Sequence, residues 1–155
     1  MSTRSRIAVK VSDNEFKSIY CHWDGYPSNN GEKLIRYYRD DIEKILGLME
    51  LGDLSVLDAR IDKPENHNFD NRVEDYCLAY HRDRNDEKIE CSIHKTINGV
   101  IEQANNTDAE WIYLYDCQNK KWFYQSMGTA YKYKSKTVWL PLTKKNIKIA
   151  KKEGY

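Results

Sequence analysis

Residues 18–31 read Ser18-Ile-Tyr-Cys-His-Trp-Asp-Gly-Tyr-Pro-Ser-Asn-Asn-Gly31, and the fold prediction is built outward from this stretch. Apolar and polar residues alternate from Ile19 to Asp24, which is the two-residue period of a strand with differently solvated faces. Gly25 permits a backbone turn, and Pro27 disfavours helix at the residue before it. The stretch therefore predicts a strand, then a turn, then a helix.

The predicted helix begins directly after the turn. Ser28, Asn29 or Asn30 is suited to cap it, because short polar side chains accept hydrogen bonds from free backbone N–H groups. Asn29 and Glu32 have the spacing of a capping box. The free N–H groups and the positive end of the helix dipole also make this position suitable for an anion.

The residues just before that helix have two interpretations. A binding role would place Trp23, Asp24 and Tyr26 around a ligand at the helix start. A structural role would place Trp23 and Tyr26 in the core and use Asp24 to close the turn through backbone amides. These residues by themselves favour the structural role.

Several further motifs accompany the stretch: Thr3-Arg-Ser-Arg-Ile-Ala-Val-Lys10, Ala79-Tyr-His-Arg-Asp-Arg84, Ala109-Glu-Trp-Ile-Tyr-Leu-Tyr-Asp116 and Lys121-Trp-Phe-Tyr124. Together with Ser18–Pro27 and Asn30-Gly31, they resemble a family of small tailed-phage and prophage proteins. The resemblance covers most of the chain except residues 55–72 and 128–138. The family has no established activity, so the resemblance implies a phage origin, a compact fold and a location in the host cytoplasm, but no chemistry.

Length and composition predict one domain spanning residues 1–155. The chain is 40% hydrophobic and 12% aromatic, which excludes a disordered protein despite its 32% charged residues. No apolar run approaches the roughly 18 residues of a membrane helix, and residues 1–6 lack the apolar core of a signal peptide. We therefore expect a cytoplasmic protein with no membrane partner.

The four cysteines are widely spaced and form no C-x-x-C pair. In a chain without a secretion signal, this pattern predicts free and mostly buried thiols. They are Cys21, Cys77, Cys91 and Cys117.

Charge is distributed unevenly along the chain. Residues 118–155 contain ten lysines and one acid, a net charge of +9, whereas residues 1–117 contain 15 basic and 23 acidic residues, a net charge of −8. The basic part is suited to nucleic acid or an acidic partner, and equally to neutralising the acidic part after folding.

The periodicity predicts an α+β fold. Its sheet is antiparallel or mixed, with five to six strands formed by two hairpins and a lone strand, and about three helices pack mainly on one face. The first predicted elements are strands 5–11 and 16–23, a helix over 31–51, and an irregular loop over 53–72 in which His67 is exposed to solvent. They are followed by a strand over 76–82, a helix from Ser92 to Asn105, and strands 111–115 and 121–125. The Lys-rich part over 128–155 is predicted to contain an edge strand at Tyr131–Tyr133 and a helix capped by Thr143.

Two His-x-Asp pairs form the first candidate site. His22 and Asp24 end one predicted strand, and His81 and Asp83 end another. Residues i and i+2 of a strand share a face, so neighbouring strands would gather four metal ligands or an acid–base pair. The motif is short enough to recur by chance, so we retain a metal-assisted phosphoesterase only as the enzymatic alternative.

A basic and aromatic rim forms the second candidate site. Its rings would stack on a base while guanidinium groups hold a phosphate. The structural alternative is that the arginines pair with nearby acids. The predicted ligand-binding residues are Trp23, Asp24, Tyr26, Asn30, Tyr80, His81, Arg82 and Arg84.

The functional expectation is a phage-type accessory protein that acts by binding rather than catalysis and requires no cofactor. Its partner would be a host or defence-system protein, or alternatively a nucleotide or nucleic-acid phosphate. The Lys-rich part is a further candidate surface for nucleic acid. All of these expectations depend on two segments, near 22–31 and 80–84, lying side by side at one end of a common sheet.

Overall fold

The structure is a computed structural model that describes residues 2–127 and 139–155. Its strands are β1 (Ser5–Ser12), β2 (Glu15–Cys21), β3 (Leu54–Val56), β4 (Leu78–Ala79), β5 (Ser92–His94), β6 (Trp111–Asp116), β7 (Lys121–Ser126) and β8 (Leu140–Pro141). Its α-helices are α1 (Ile42–Glu50), α2 (Tyr80–Arg84), α3 (Ile97–Asn106) and α4 (Lys144–Lys152), and two π-helical turns cover Pro27–Gly31 and Leu34–Tyr38.

The strands form one mixed sheet in the order β4-β3-β2-β1-β6-β7-β8, with β5 also pairing with β2. The predicted α+β fold with a mixed sheet is confirmed. The predicted numbers of strands and helices are too low, because the part of the chain that the structure describes contains eight strands and about five helices. Four of those strands are only two or three residues long, which is too short to leave a periodic signal.

Two hydrophobic clusters lie on opposite faces of this sheet. The larger cluster contains residues of β1, β2 and β6 together with residues of the second π-helical turn, α1 and α4. The smaller cluster contains the alternate residues of β1, β2 and β6, packed against Val100 and Ala104 of α3. Most helices therefore lie on one face, and α3 covers the other, since successive side chains of a strand point in opposite directions.

The first helical region begins without a side-chain cap. Tyr26 occupies the N-cap position and Pro27 the first helical position, so the prediction that Ser28, Asn29 or Asn30 caps the helix is wrong. Pro at this position needs no N–H partner, which makes it a sufficient helix start.

The single helix predicted over residues 31–51 is interrupted. Arg39 has φ 49° and ψ −129°, which ends the second π-helical turn, and Asp41 then caps α1 by accepting from the Lys44 backbone N–H. Ile42, the first residue of α1 after the interruption, is 37% exposed.

Two further predictions along the chain are wrong. Residues 80–84 form α2 rather than the end of a strand, and Ser92 begins β5 instead of capping a helix, since Thr96 caps α3. The hairpin of β6 and β7 and the helix capped by Thr143 are confirmed. The predicted strand at Tyr131–Tyr133 lies outside the described residues. Within residues 2–127 and 139–155, no helix has the length and apolar character needed to cross a bilayer.

Candidate functional site

A cleft forms where the end of β2 meets the loop before β3 and the start of α2. The His22 backbone N–H donates to Leu54 O at 3.0 Å, and the Tyr80 N–H donates to Asp53 O at 3.2 Å. These bonds attach one predicted segment to Leu54 and the other to Asp53, at the start of β3. We call this cleft, whose volume is about 400 Å³, the His22 cleft. Its lining residues are Tyr20, His22, Asp53, Tyr80, His81, Arg84, Asp86, Glu87 and Ile89.

Aromatic rings and imidazoles form much of the cleft wall. The Tyr20 hydroxyl lies 2.7 Å from His22 Nδ1 in a hydrogen bond. Tyr80 stacks on Phe69 with ring centroids 5.5 Å apart, and the Arg84 guanidinium lies 4.8 Å from the centroid of each of those two rings. The rings are thus held by neighbours and present defined faces and edges.

The cleft is neutral to acidic in character. Burial and the positive charge of Arg4 lower the pKa of His22, so its imidazole is neutral at pH 7. Burial raises the pKa of the Tyr20 and Tyr80 hydroxyls, which therefore stay protonated. These groups offer neutral hydrogen-bond donors and acceptors beside aromatic surface.

Arg84 is paired within its own loop. Its Nε donates to Asp86 Oδ1 at 2.9 Å and its Nη2 to Asp86 Oδ2 at 2.7 Å. This two-pronged pair raises the pKa of Arg84 and lowers the pKa of Asp86. The carbonyl of Asp86 also bonds His81 Nδ1 at 2.7 Å. The charge of Arg84 is therefore already matched, as the structural alternative expected.

Arg82 is engaged inside the protein and does not line the cleft. Its Nη1 donates to Ile61 O at 2.6 Å, its Nη2 to Cys77 O at 3.0 Å, and its Nε to Asp83 Oδ1 at 2.9 Å. Arg82 thus joins the loop before β4 to α2, which is a structural role.

Asp83 and His67 complete this internal network. Asp83 is buried and accepts the Ala79 N–H at 2.7 Å, and His67 Nε2 lies 3.6 Å from Asp83 Oδ2. The expectation that His67 is solvated is wrong: it is 1% exposed, with Nε2 bonded to Cys77 O and Nδ1 accepting the Val73 N–H. A buried polar ring needs such partners, and a sequence of loop residues gives no sign of them.

The predicted residues near the β2 end have mixed positions. Trp23 is 41% exposed, which contradicts the structural role that placed it in the core, and its ring meets that of His22 edge-on at 4.7 Å. Asp24 has φ 57° and accepts the Tyr26 hydroxyl at 3.4 Å. Asn30 is 1% exposed and donates to Trp23 O at 3.2 Å. Trp23 is thus the exposed residue of this group, while Asp24 and Tyr26 are partly buried and Asn30 is buried.

The four groups of the two His-x-Asp pairs do not converge. His22 and His81 share the cleft, but Asp83 lies on the buried side of α2 and Asp24 does not line the cleft. Among the residues that the structure describes, no set of three or more His, Cys, Asp or Glu side chains is placed to hold a metal ion. The geometry therefore gives the phosphoesterase alternative no support.

Five cleft residues were not singled out by the sequence analysis: Tyr20, Asp53, Asp86, Glu87 and Ile89. For two of them, the sequence contains a feature that indicates their position in the cleft. Tyr20 lies two positions before His22 and so shares its face of β2. Ile89 is an isolated apolar residue within the charged run 86–90, and such an isolated residue is often an exposed contact.

Comparison of this chain with protein-family models, with curated proteins and with solved structures finds no match. The resemblance to small tailed-phage proteins therefore stays a prediction.

Proposed function

We propose that this protein acts by binding a partner protein, and that the His22 cleft with the adjoining Trp23 is the binding surface. The observation that carries the proposal is an exposed surface rich in rings, built on a strand end and a helix start that hydrogen bonds fix together. A fixed surface loses little conformational freedom on binding.

The surface has the residue types that dominate protein interfaces. Trp23 is 41% exposed and Ile89 is 65% exposed, so both retain apolar area for a partner. Tyr80 and His22 contribute ring faces and polar tips in the same cleft. Trp and Tyr are enriched among the few residues that supply most of the binding energy of an interface.

The charges of the cleft favour a protein over a phosphate ligand. Three carboxylates, those of Asp53, Asp86 and Glu87, line the cleft with the guanidinium of Arg84, and the guanidinium of Arg4 acts on His22 from nearby. A phosphate would meet net negative charge there, whereas a lysine or arginine side chain from a partner would be attracted. The cleft therefore suits a basic side chain flanked by apolar contacts.

The resemblance to tailed-phage proteins supports a host protein as the partner. A small phage accessory protein that binds a host protein would interfere with a host process or a defence system. This part of the proposal depends on the resemblance, while the location of the binding surface depends on the cleft.

Two isoleucines provide a matched test of the surface. Ile89 lines the cleft and Ile93 lies on β5, and each is 65% exposed. We expect proteins captured from a bacterial lysate by the wild type to be retained by Ile93→Asp and lost by both Ile89→Asp and Trp23→Ala. For a purified partner, Trp23→Ala is expected to weaken affinity by about 30-fold, as for a central interface residue. Titration calorimetry measures that change.

Three outcomes would count against the proposal. One is a capture pattern in which Ile89→Asp and Ile93→Asp behave alike. Another is an undiminished affinity of Trp23→Ala for the purified partner. The third is a thermal shift with a mono- or cyclic nucleotide that Arg84→Ala abolishes, since this would assign the cleft to a nucleotide.

A further inference from the structure

A second groove, larger than the His22 cleft, lies between the second π-helical turn and α4, with a volume of about 830 Å³. Its lining residues are Glu32, Ile35, Arg36, Arg39, Lys144, Ile147, Lys148 and Lys151. We call it the basic groove. Among the described residues that line it, five cations face a single carboxylate, that of Glu32. Such an excess of one charge sign attracts polyanions.

Three of the cations form a row on α4. Lys144, Lys148 and Lys151 are separated by four and three residues, which places them on one face of the helix over about 10 Å. Ile147 is 5% exposed and Ala150 is fully buried, so the side of α4 next to the lysine row anchors the helix to the core. The lysines are therefore presented by a fixed element with a regular spacing.

The other two cations come from the end of the second π-helical turn. Arg39 Nε donates to Arg36 O at 3.1 Å, and the Arg39 carbonyl accepts Trp122 Nε1 at 2.7 Å. These bonds hold Arg39 at φ 49° and ψ −129°, a conformation that costs a residue with a Cβ about 1–3 kcal/mol. The structure thus keeps a strained arginine at the wall of the groove.

The positive charge of the groove is not neutralised within the described chain. Among the described residues, none of the five groove cations forms an ion pair with a carboxylate oxygen within 4.0 Å. This contrasts with Arg82 and Arg84, which are both paired with aspartates. The groove cations are free to exchange counterions for a ligand.

Arg36, which lines the groove, contacts an exposed ring that lines the neighbouring cavity. Tyr37 is 38% exposed, and the Arg36 guanidinium lies 5.2 Å from the centroid of its ring. An aromatic ring beside a basic groove is the usual arrangement of surfaces that bind single-stranded nucleic acid, because bases stack on the ring while cations contact phosphates.

We propose that the basic groove binds the backbone of a single-stranded nucleic acid. The lysine row follows successive phosphates, Arg36 and Arg39 grip phosphate oxygens with their planar guanidinium groups, and Tyr37 stacks on a base. The proposal is independent of the His22 cleft, because the two sites share no lining residue.

The direct test is fluorescence anisotropy of a labelled oligothymidylate with the full chain over a salt series. Five phosphate contacts predict a log–log slope of about −3.5 for a single strand. The double variant Lys148→Gln/Lys151→Gln is expected to lower affinity by about tenfold at low salt and to make the slope shallower by about 1.4, since two contacts are lost.

The matched control removes the same charge from the same helix. Lys145 and Lys152 are exposed on α4 but do not line the groove, so Lys145→Gln/Lys152→Gln is expected to change affinity by less than about twofold. All four lysines are exposed, and thermal melting followed by circular dichroism verifies that both variants fold.

Three results would overturn the proposal. Equal weakening by the two double variants would mean that only net charge matters. Absence of oligothymidylate binding at low salt would remove the site. Displacement of the oligonucleotide by polyglutamate at equal charge concentration, together with unchanged affinity of Tyr37→Ala, would assign the groove to an acidic protein.

Discussion

Arg39 adopts a backbone conformation that residues with a Cβ disfavour. Its φ of 49° with ψ −129° is a conformation that glycine adopts readily and residues with a Cβ avoid. Three hydrogen bonds hold it there, through the Arg39 N–H to Leu34 O, the Arg39 carbonyl and the Arg39 side chain. The chain keeps an arginine where glycine would fit better, which is consistent with a role for its guanidinium.

Replacing Arg39 by glycine should therefore stabilise the protein. We expect Arg39→Gly to raise the free energy of unfolding by about 1 kcal/mol, because relief of strain exceeds the added entropy of the unfolded chain. Arg39→Ala loses the same side chain but keeps a Cβ, so no gain is expected from it. Urea denaturation of the two variants measures the difference, and equal midpoints would show that the backbone conformation costs nothing.

The roles of several single residues could not be predicted from the sequence. His67 stands among loop residues, and its burial depends on Cys77, ten positions away, and on Asp83. Arg82 and Arg84 have similar surroundings in the sequence. On α2, however, Arg82 bonds groups inside the protein, whereas Arg84 lines the cleft. Polar contacts between distant segments leave no periodic trace, so they require coordinates.

At the scale of elements, two hairpins and the last helix were predicted well, whereas the long helix over 31–51 is interrupted and the short strands were missed. The hairpins of β1–β2 and β6–β7 and the helix α4 follow from alternation, turn residues and a threonine cap. By contrast, β3 and β5 share one edge of β2, pairing with its opposite ends. Such short strands depend on pairing with a neighbouring strand and not on the β-propensity of their own residues.

The turn after β2 depends on the smallness of Gly25. A Cβ there would lie 2.7 Å from Thr3 O and 2.8 Å from Ser5 Cβ, and the Gly25 carbonyl also accepts the Tyr113 hydroxyl at 2.6 Å. We expect Gly25→Ala to lower the free energy of unfolding by about 2–3 kcal/mol, since backbone must move to admit the methyl group. Chemical denaturation measures this loss.

Gly47 in α1 is the matched control for that substitution. A Cβ there would meet only the Cδ1 atom of Ile61, at 2.8 Å, which is the end of a flexible side chain. Alanine also favours the helix by about 1 kcal/mol. Gly47→Ala should thus remain within about 1 kcal/mol of the wild type, and a loss as large as that of Gly25→Ala would refute the steric argument.

At the scale of the molecule, two histidines couple stability to pH. Burial and Arg4 lower the pKa of His22, and burial and Arg6 lower the pKa of His94. In the unfolded chain the histidine pKa values are about 6.5. As the pH falls through that value, the unfolded chain therefore binds more protons than the folded protein. The free energy of unfolding should therefore decrease on acidification from pH 7.5 to pH 5.5.

The variant His22→Gln/His94→Gln tests this coupling. We expect its free energy of unfolding to vary less with pH over the same interval, because two groups that disfavour protonation in the folded state are removed. Urea denaturation at three pH values provides the measurement. The carboxylates of Asp86 and Asp116, whose pKa values are lowered, titrate below this range. An unchanged slope would exclude these histidines as its source.

The parallel pairing of β1 with β6 also has a consequence for synthesis. Ser5 pairs with Trp111 and Lys10 with Asp116, so one edge of the central strand finds its partner only after most of the chain has left the ribosome. Until then the backbone groups beside Ile7 and Val9 remain an open template for other chains. Pairings so distant along a polypeptide slow folding and prolong exposure to aggregation. A nascent chain halted before position 111 would thus be a natural substrate for chaperones.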